Sequence, residues 1–239
     1  MSRRTHSRRE FLSRAGALAV GTGFTATLSS RARAAVARAS YKPSHVSIEY
    51  DEETLLKYRP RLWFSGDEYE KFINLYGWLA TSPEYETDVA VYWSEYTHQE
   101  GVSEYDSHDG DHEPIYVFIR DGAVEKVVYS AYHWLRATSY APVLDGTHAL
   151  FRVIEPWHHY TSTSLDGKLT SIGDLTGTFD DWLEEGLDES LALGSVVNPW
   201  IMSRRDHWWR SAVAGISFDA LYVSILHSIG WHRAEVTDL

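Results

Sequence analysis

The residue types best suited to chemistry crowd into one short segment, DSHDGDHE, at residues 106–113. This segment holds four carboxylates and two imidazoles directly ahead of an alternating, strand-like run. Such side chains can bind a metal ion, exchange protons as an acid and a base, or form a solvated acidic loop. The residue types alone leave all three interpretations open.

A metal site in this region would draw on Glu100, His108, Asp111 and Glu113. Glu100 closes the preceding strand-like run, and two antiparallel strands would bring it beside the other three residues. The chain contains no cysteine, so a metal would be held by oxygen and imidazole nitrogen. Carboxylates with a single imidazole favour Mg²⁺ or Ca²⁺ over zinc, which prefers more nitrogen or sulfur.

An acid and base pair is the second interpretation of the same segment. On a strand, Asp111 and Glu113 would share one face about 7 Å apart, a spacing that suits the activation of a water molecule. A metal-assisted hydrolase would also need a nearby base, and His112 or His133 would serve if its side chain pointed inward. No G-x-S-x-G motif accompanies them.

Aromatic residues are the next candidates for ligand binding. The chain has ten tryptophans, with local clusters in PWHHY at 156–160 and HWW at 207–209. Aromatic faces bind the apolar faces of sugars, which makes Trp157 and His158 candidate ligand-binding residues, although core packing explains such residues equally well. His158 and His159 are adjacent and would face opposite ways on a strand, so both cannot readily serve one ion.

Composition limits the classes of function. With 239 residues, 44% of them hydrophobic, the chain predicts one sizeable domain. The formal net charge is −12. Residues 1–34 hold seven arginines and one glutamate, so without them 22 − 7 = 15 basic and 34 − 1 = 33 acidic residues remain, a net charge of about −18. Such a chain argues against nucleic-acid binding, repels anionic lipids, and is typical of a halophilic source.

The amino terminus has the pattern of a twin-arginine export signal. Arg8 and Arg9 precede Phe11 and Leu12, and a mildly apolar stretch then closes on Ala-Arg-Ala at residues 32–34. A basic amphipathic helix is the alternative interpretation. We predict a signal over residues 1–34, a linker over 35–50 and a single domain over 51–239, with the protein exported to the extracellular space or the cell surface.

The periodicity of the chain predicts an α+β fold with a central sheet and helices at its ends. Pro60 should stop a helix that begins at EETLLKY, and Arg120-Asp121-Gly122 should turn a hairpin. The remaining predicted elements are an edge strand in HVSIEY, a strand in RLWF, a short helix in DEYEKFINLYGWLA, buried strands in YETDVAVYWSEYTH and THALFRVI, and a helix near FDDWLEEGL within a loop-rich region over 161–200. The apolar tail includes Asp219 and His227, which favours a buried element over a membrane span.

The acidic segment resembles the hallmark heptapeptide G-H-R-H-D-W-E of the necrosis- and ethylene-inducing-peptide-like proteins. The first His, the Asp and the Glu of that motif, which are metal-associated in the family, fall on His108, Asp111 and Glu113. A family aspartate eight residues ahead of the first His falls on Glu100. The segments VVYSAYHW and THALFRV, with His133 and His148, are similar to the family's Y-S-A-H and H-A-L-R-F segments.

The sequence also departs from the family pattern, because Ser107, Asp109, Gly110 and His112 replace the other heptapeptide residues and the common cysteine pair is absent. The opening YRPRLWFSGDE is similar to that of related proteins with an H-E-G-D-W-E motif. The resemblance implies a β-sandwich with flanking helices, a surface divalent-metal site, and His112, His133 and His148 as further ligands or supports of the ligands.

Three functions follow as expectations. The first is an exported, divalent-metal-dependent protein that resembles cytolysins and binds a glycan or a lipid headgroup. The second is a secreted metal-assisted hydrolase, and the third is a non-catalytic surface protein with a merely acidic loop.

Overall fold

The computed structural model describes residues 42–100, 107–132, 135–184 and 196–202. The predicted export signal, residues 35–41 of the predicted linker, His133 and the apolar tail lie outside these residues. Among the described residues, no helix is long and apolar enough to cross a membrane.

The larger of two sheets holds seven strands in the order β1-β3-β4-β5-β6-β7, with β11 parallel to β3. These strands are β1 (Ser47–Glu49), β3 (Phe72–Thr81), β4 (Asp88–Gln99), β5 (His108–Arg120), β6 (Ala123–Tyr132), β7 (Leu135–Ser139) and β11 (Ile172–Asp174). Apart from the β11 pairing, every neighbouring pair in this sheet is antiparallel.

The smaller sheet has the order β10-β9-β2, with β8 also pairing β9. Its strands are β2 (Arg61–Trp63), β8 (Leu144–Asp145), β9 (His148–Ile154) and β10 (His159–Ser162). The described helices are α1 (Glu52–Tyr58), α2 (Glu68–Lys71), α3 (Leu175–Glu184) and α4 (Pro199–Met202).

The larger sheet is covered on both faces, which gives two separate apolar layers. On one face, its residues pack against α3 and α4, with Trp78 against Phe179 at 4.7 Å between ring centroids. On the other face, they pack against α1 and the smaller sheet, which contributes Leu62 and Phe151. The α+β class, with a sandwich-like central sheet and flanking helices in a single domain, is confirmed.

Local signals placed several elements correctly. The edge strand in HVSIEY is β1, the helix in EETLLKY is α1, and it ends before Pro60 as predicted. Asp51 caps α1 by accepting a hydrogen bond from the Thr54 amide at 3.1 Å. The β5–β6 hairpin turns at Asp121 and Gly122, whose φ angles are 51° and 75°.

Two predicted elements were wrong. The short helix predicted in DEYEKFINLYGWLA ends at Lys71, and residues 72–81 form strand β3 instead. This strand is covered on both faces, so apolar residues occupy both its odd and its even positions. Periodicity cannot distinguish such a pattern from that of a buried helix. The predicted acidic loop is likewise a strand from His108 onward, paired to β4.

Candidate functional site

Two of the predicted ligands, Asp111 and Glu113, lie side by side on one face of β5. They pair with Tyr96 and Ser94 of β4, and both are buried. They face the smaller sheet, because their neighbours Tyr96 and Ile115 belong to that apolar layer. The alternation of β5 therefore places two carboxyl groups between the two sheets, near one end of the β4–β5 pair.

His158 crosses from the smaller sheet to meet them. It lies in the turn between β9 and β10 with φ of 57°, and its side chain is fully buried. Its ring stacks on Tyr96 at 3.9 Å between centroids and an interplanar angle of 4°. Nδ1 lies 2.8 Å from Oδ2 of Asp111, and Nε2 lies 2.8 Å from Oε2 of Glu68. Only an imidazolium can donate to both carboxylates at once.

The network continues outward from Glu68 through the short helix α2. Lys71 Nζ donates to Oε1 of Glu68 at 2.7 Å and to Oε2 of Glu100 at 3.3 Å. A chain of charge-assisted hydrogen bonds therefore runs from the exposed Glu100 to the buried Asp111. The Ser65 hydroxyl, just ahead of α2, also donates to the Glu155 carboxylate beside the β9–β10 turn.

The pKa values of Glu68 and His158 are shifted in opposite directions. Burial acts to raise the pKa of Glu68, but hydrogen bonds from His158 and Lys71 outweigh it and bring that pKa below its ordinary value. Burial likewise acts to lower the pKa of His158, but hydrogen bonds to Asp111 and Glu68 raise it overall. Both shifts favour the charged pair, because each partner stabilises the other's ion.

Glu113 behaves differently from the other carboxylates. Burial raises the pKa of Glu113 well above its ordinary value, the negative charge of Asp111 raises it further, and a hydrogen bond with Ser130 partly offsets these effects. Oε1 of Glu113 lies 3.6 Å from Nε2 of the buried His159. Two crowded, buried carboxyl groups thus favour either a proton or another cation between them.

Beneath these carboxyl groups, Tyr160 ties the smaller sheet to the larger one. Its hydroxyl donates to Ser94 Oγ at 2.7 Å and lies 3.3 Å from the backbone oxygen of Glu113. The β10 strand is thereby held against the strands that carry the acids.

The remaining predicted ligands are only partly placed. Glu100 directly follows β4, its side chain is 65% exposed, and it contacts Lys71. The backbone of His108 pairs with Gln99 in the β4–β5 ladder, but its side chain lies outside the described residues, as does all of His133.

His112 and His148 lie apart from the carboxylates. His112 is on the opposite face of β5, where its ring is 4.3 Å from that of Trp182 in α3. Nδ1 of His148 lies 2.9 Å from the backbone oxygen of Arg59, just after α1. His148 begins β9 and His158 follows its end, so about six strand residues, roughly 20 Å, separate the two histidines.

The ring of Trp157 lies 6.5 Å from that of His159, beside the network. Glu68 and Lys71 were missed by sequence reasoning, although Glu68 ends the segment YRPRLWFSGDE and Lys71 lies in DEYEKFINLYGWLA. No local spacing connects them to β5, so only their placement by α2 reveals the link.

The carboxylate oxygens of Asp111 and Glu113 are donors of the type that hard divalent ions prefer, and zinc prefers more nitrogen or sulfur. Among the residues that the structure describes, no group of three or more histidine and acidic side chains has the arrangement of a metal site. Asp111 and Glu113 supply adjacent oxygen donors, whereas both ring nitrogens of His158 already face carboxylates.

Comparison with known proteins gives a structural likeness and no sequence match. No protein-family model and no curated protein matches the chain. The fold is similar to necrosis and ethylene inducing protein 2 from the causal agent of cocoa's witches' broom disease, with TM-score 0.46 and 16% identity over 62% of this chain and 87% of that one. It is also similar to NLPPya in complex with mannosamine (0.44, 13%, 56% and 77%) and with glucosamine (0.43, 14%, 56% and 76%). These proteins are of the necrosis-inducing class that the heptapeptide resembles.

Proposed function

We propose that this chain is an exported binding protein of the necrosis-inducing type that uses a divalent cation to dock a glycan or a lipid headgroup. Asp111 and Glu113 would hold the ion, with Glu100 and His108 as further ligands. Mg²⁺ or Ca²⁺ fits this oxygen-rich set better than zinc. A bound ion would supply positive charge for the oxygen atoms of the docked group.

The single observation that carries the proposal is the pair of buried carboxyl groups on β5. Asp111 and Glu113 stand on one face of a strand, and burial, followed by the negative charge of Asp111, raises the pKa of Glu113 well above its ordinary value. A carboxyl group that resists ionisation for these reasons would ionise readily beside a divalent cation, which reverses the sign of the local field. The chain's own residues keep this pair in place, with His158 on Asp111 and Tyr160 under Glu113.

Binding is favoured over hydrolysis because one candidate base faces away. His112 lies on the helix-covered face of the sheet, against Trp182. A metal-assisted hydrolase remains the second candidate, since buried His159 lies 3.6 Å from Glu113.

The decisive experiment is calorimetric titration of the protein with Mg²⁺, Ca²⁺, Mn²⁺ and Zn²⁺. Glu113→Gln preserves the shape of the protonated carboxyl group and removes its capacity to ionise, so we expect ion affinity to fall by about tenfold or more with little loss of apo stability. Asp111→Asn should lower the affinity as strongly, but it also destabilises the fold because it weakens the contact with His158.

Asp109→Asn is the matched control, because Asp109 is exposed and pairs with His98 farther along the ladder. Its affinity should stay close to that of the unaltered protein. Equal affinities in Glu113→Gln, Asp109→Asn and the unaltered protein would show that residues 106–113 are an acidic strand end that holds no ion.

The docking step needs its own probes, and glucosamine and mannosamine, the ligands in the NLPPya complexes, are suitable ones. We expect binding of these sugars to require the divalent ion and to weaken in Trp157→Ala. Sugar binding that persists in the presence of a chelator would show that the ion does not dock the sugar.

A further inference from the structure

Lys71 is placed unusually for a cation in this protein. The chain has only five lysines against a formal net charge of −12. At the end of α2, Nζ of Lys71 lies between Glu68 and Glu100, 2.7 Å and 3.3 Å from their carboxylate oxygens. Its side chain is only 15% exposed, so this is a partly desolvated ammonium rather than a surface charge.

The two partners of Lys71 belong to the candidate ion site. Glu68 holds the ring of His158, which in turn holds Asp111. Glu100 is one of the carboxylates proposed to bind the ion directly. An ion that recruits Glu100 must therefore share this carboxylate with the ammonium group or displace it.

We propose that Lys71 is a tethered counter-cation that sets the ion affinity of this site, an inference that rests on the proposed function. In the absence of an ion, Lys71 neutralises Glu68 and Glu100, whose negative charges would otherwise repel each other. When a divalent ion enters, the same ammonium group repels it and competes for Glu100. Lys71 thus stabilises the apo protein and weakens ion binding, which makes it a determinant of affinity.

Lys71 stays charged in this role. Its Nζ lies against two carboxylates, 2.7 Å from Oε1 of Glu68 and 3.3 Å from Oε2 of Glu100, and such a pairing favours the ammonium form. Glu100 is largely exposed, so it can turn from the ammonium group to an ion without an internal cavity being left.

The sign of the effect separates this role from a merely structural one. A residue that only supports the local structure would, when removed, lower apo stability and ion affinity together. A counter-cation would, when removed, lower apo stability and raise ion affinity. Only the second pattern requires Lys71 to compete with the ion.

The test compares Lys71→Gln and Lys71→Met with the unaltered protein, by calorimetric titration with Mg²⁺ and Ca²⁺ and by thermal unfolding in a chelator. Lys71→Gln keeps a hydrogen-bond donor for Glu68 and removes the charge, so it carries the test even where Lys71→Met fails to fold. We expect both ions to bind about tenfold more tightly to Lys71→Gln, a change of about 1.4 kcal/mol in the binding free energy. The thermal midpoint of its apo form should fall.

Two control variants complete the design. Lys71→Arg keeps the positive charge and should bind the ions as the unaltered protein does. Lys57→Met removes an exposed lysine from α1 and produces the same change in net charge, so its affinity should not change. A gain in Lys57→Met equal to that in Lys71→Gln would show a general charge effect and overturn the inference.

The outcomes distinguish the two proposals. Ion binding by the unaltered protein with equal or weaker binding by Lys71→Gln would overturn the role of Lys71 and leave the proposed function standing. No ion binding by the unaltered protein or by any variant would overturn both.

Discussion

At the scale of single residues, the site is organised by charge compensation between buried groups. His158 lies between Glu68 and Asp111, and Lys71 completes the neutralisation of Glu68. A buried charge is tolerated only when it is paired and hydrogen-bonded, which is the case here. Glu113 differs, because burial and the negative charge of Asp111 raise its pKa well above the ordinary value.

These shifts predict how apo stability depends on pH. The folded pKa of His158 is raised above 6.5, so its contribution is present below that pH and is lost as the pH rises through the folded value. The folded pKa of Glu68 is lowered below 4.5, so its contribution is present above that pH and is lost as the pH falls through the folded value. The folded pKa of buried Glu113 is raised well above 4.5, so its contribution is full below that pH and is lost as the pH rises from there toward the folded value.

We therefore expect the Glu68–His158 pair to contribute most between about pH 4.5 and 6.5. The thermal midpoint in a chelator should decline from about pH 4.5 toward pH 8, because Glu113 and then His158 lose their contributions. Glu113→Gln cannot ionise and should reduce this alkaline decline. A midpoint that rises steadily from pH 5 to 8 would contradict the pairing, and unaltered behaviour in Glu113→Gln would contradict the role given to Glu113.

At the scale of elements, the β4–β5 pair places different side chains on the two faces of the larger sheet. Its alternation sends Asp111 and Glu113 toward the smaller sheet and His112 toward α3. The short helix α2 and the β9–β10 turn then close over the acidic face through Glu68 and His158. The helices on the far side serve packing, since Phe179 and Trp182 fill the second apolar layer.

Removal of a large side chain from α3 should therefore affect stability and spare the site. Phe179 is fully buried and packs its ring on Trp78, so we expect Phe179→Ala to cost about 3–5 kcal/mol in the free energy of unfolding. Urea unfolding measures this loss, and Leu165→Ala, at a largely exposed position, is the control. A cost below about 1 kcal/mol for Phe179→Ala would show that α3 is not part of the core.

Close backbone contacts also limit how the elements pack. Gly167 lies against β2, where an added Cβ would come within 2.6 Å of the Leu62 carbonyl carbon. The segment that carries Lys168 can pair with Leu62 only because this position has no side chain.

At the scale of the whole molecule, two apolar layers enclose one sheet, and the charged network lies where the two sheets meet near the end of the β4–β5 pair. An acidic chain of this kind is expected to be soluble by self-repulsion. Export, the halophilic source and the extracellular location remain predictions, because they rest on residues 1–34 and on composition.

Export has a direct test. Twin-arginine signals are read by a receptor, so Arg8→Lys combined with Arg9→Lys should leave the precursor in the cell with its signal uncut. The matched control is Arg3→Lys with Arg4→Lys, a second arginine pair outside the motif, which should be exported normally. Immunoblots of cell and medium fractions measure both, and normal secretion of the first double variant would contradict the signal.

The sequence by itself determined the features that depend on near neighbours in the chain. Pro60 ends α1, Asp121 and Gly122 turn the hairpin, and the alternation of β5 places Asp111 and Glu113 on one face. Each follows from the backbone limits of one residue or from a period of two, which a local stretch of sequence displays.

The tertiary structure alone decided which distant residues meet. Residues 72–81 form a strand because they pair with β1, β4 and β11, and the layers on both faces hide the alternation on which prediction depends. Glu68, Lys71 and His158 joined Asp111 because α2 and the β9–β10 turn fold onto the same sheet face. Long-range hydrogen bonds of this kind leave no periodic trace in the sequence, since their partners are brought together only by the packing of the two sheets.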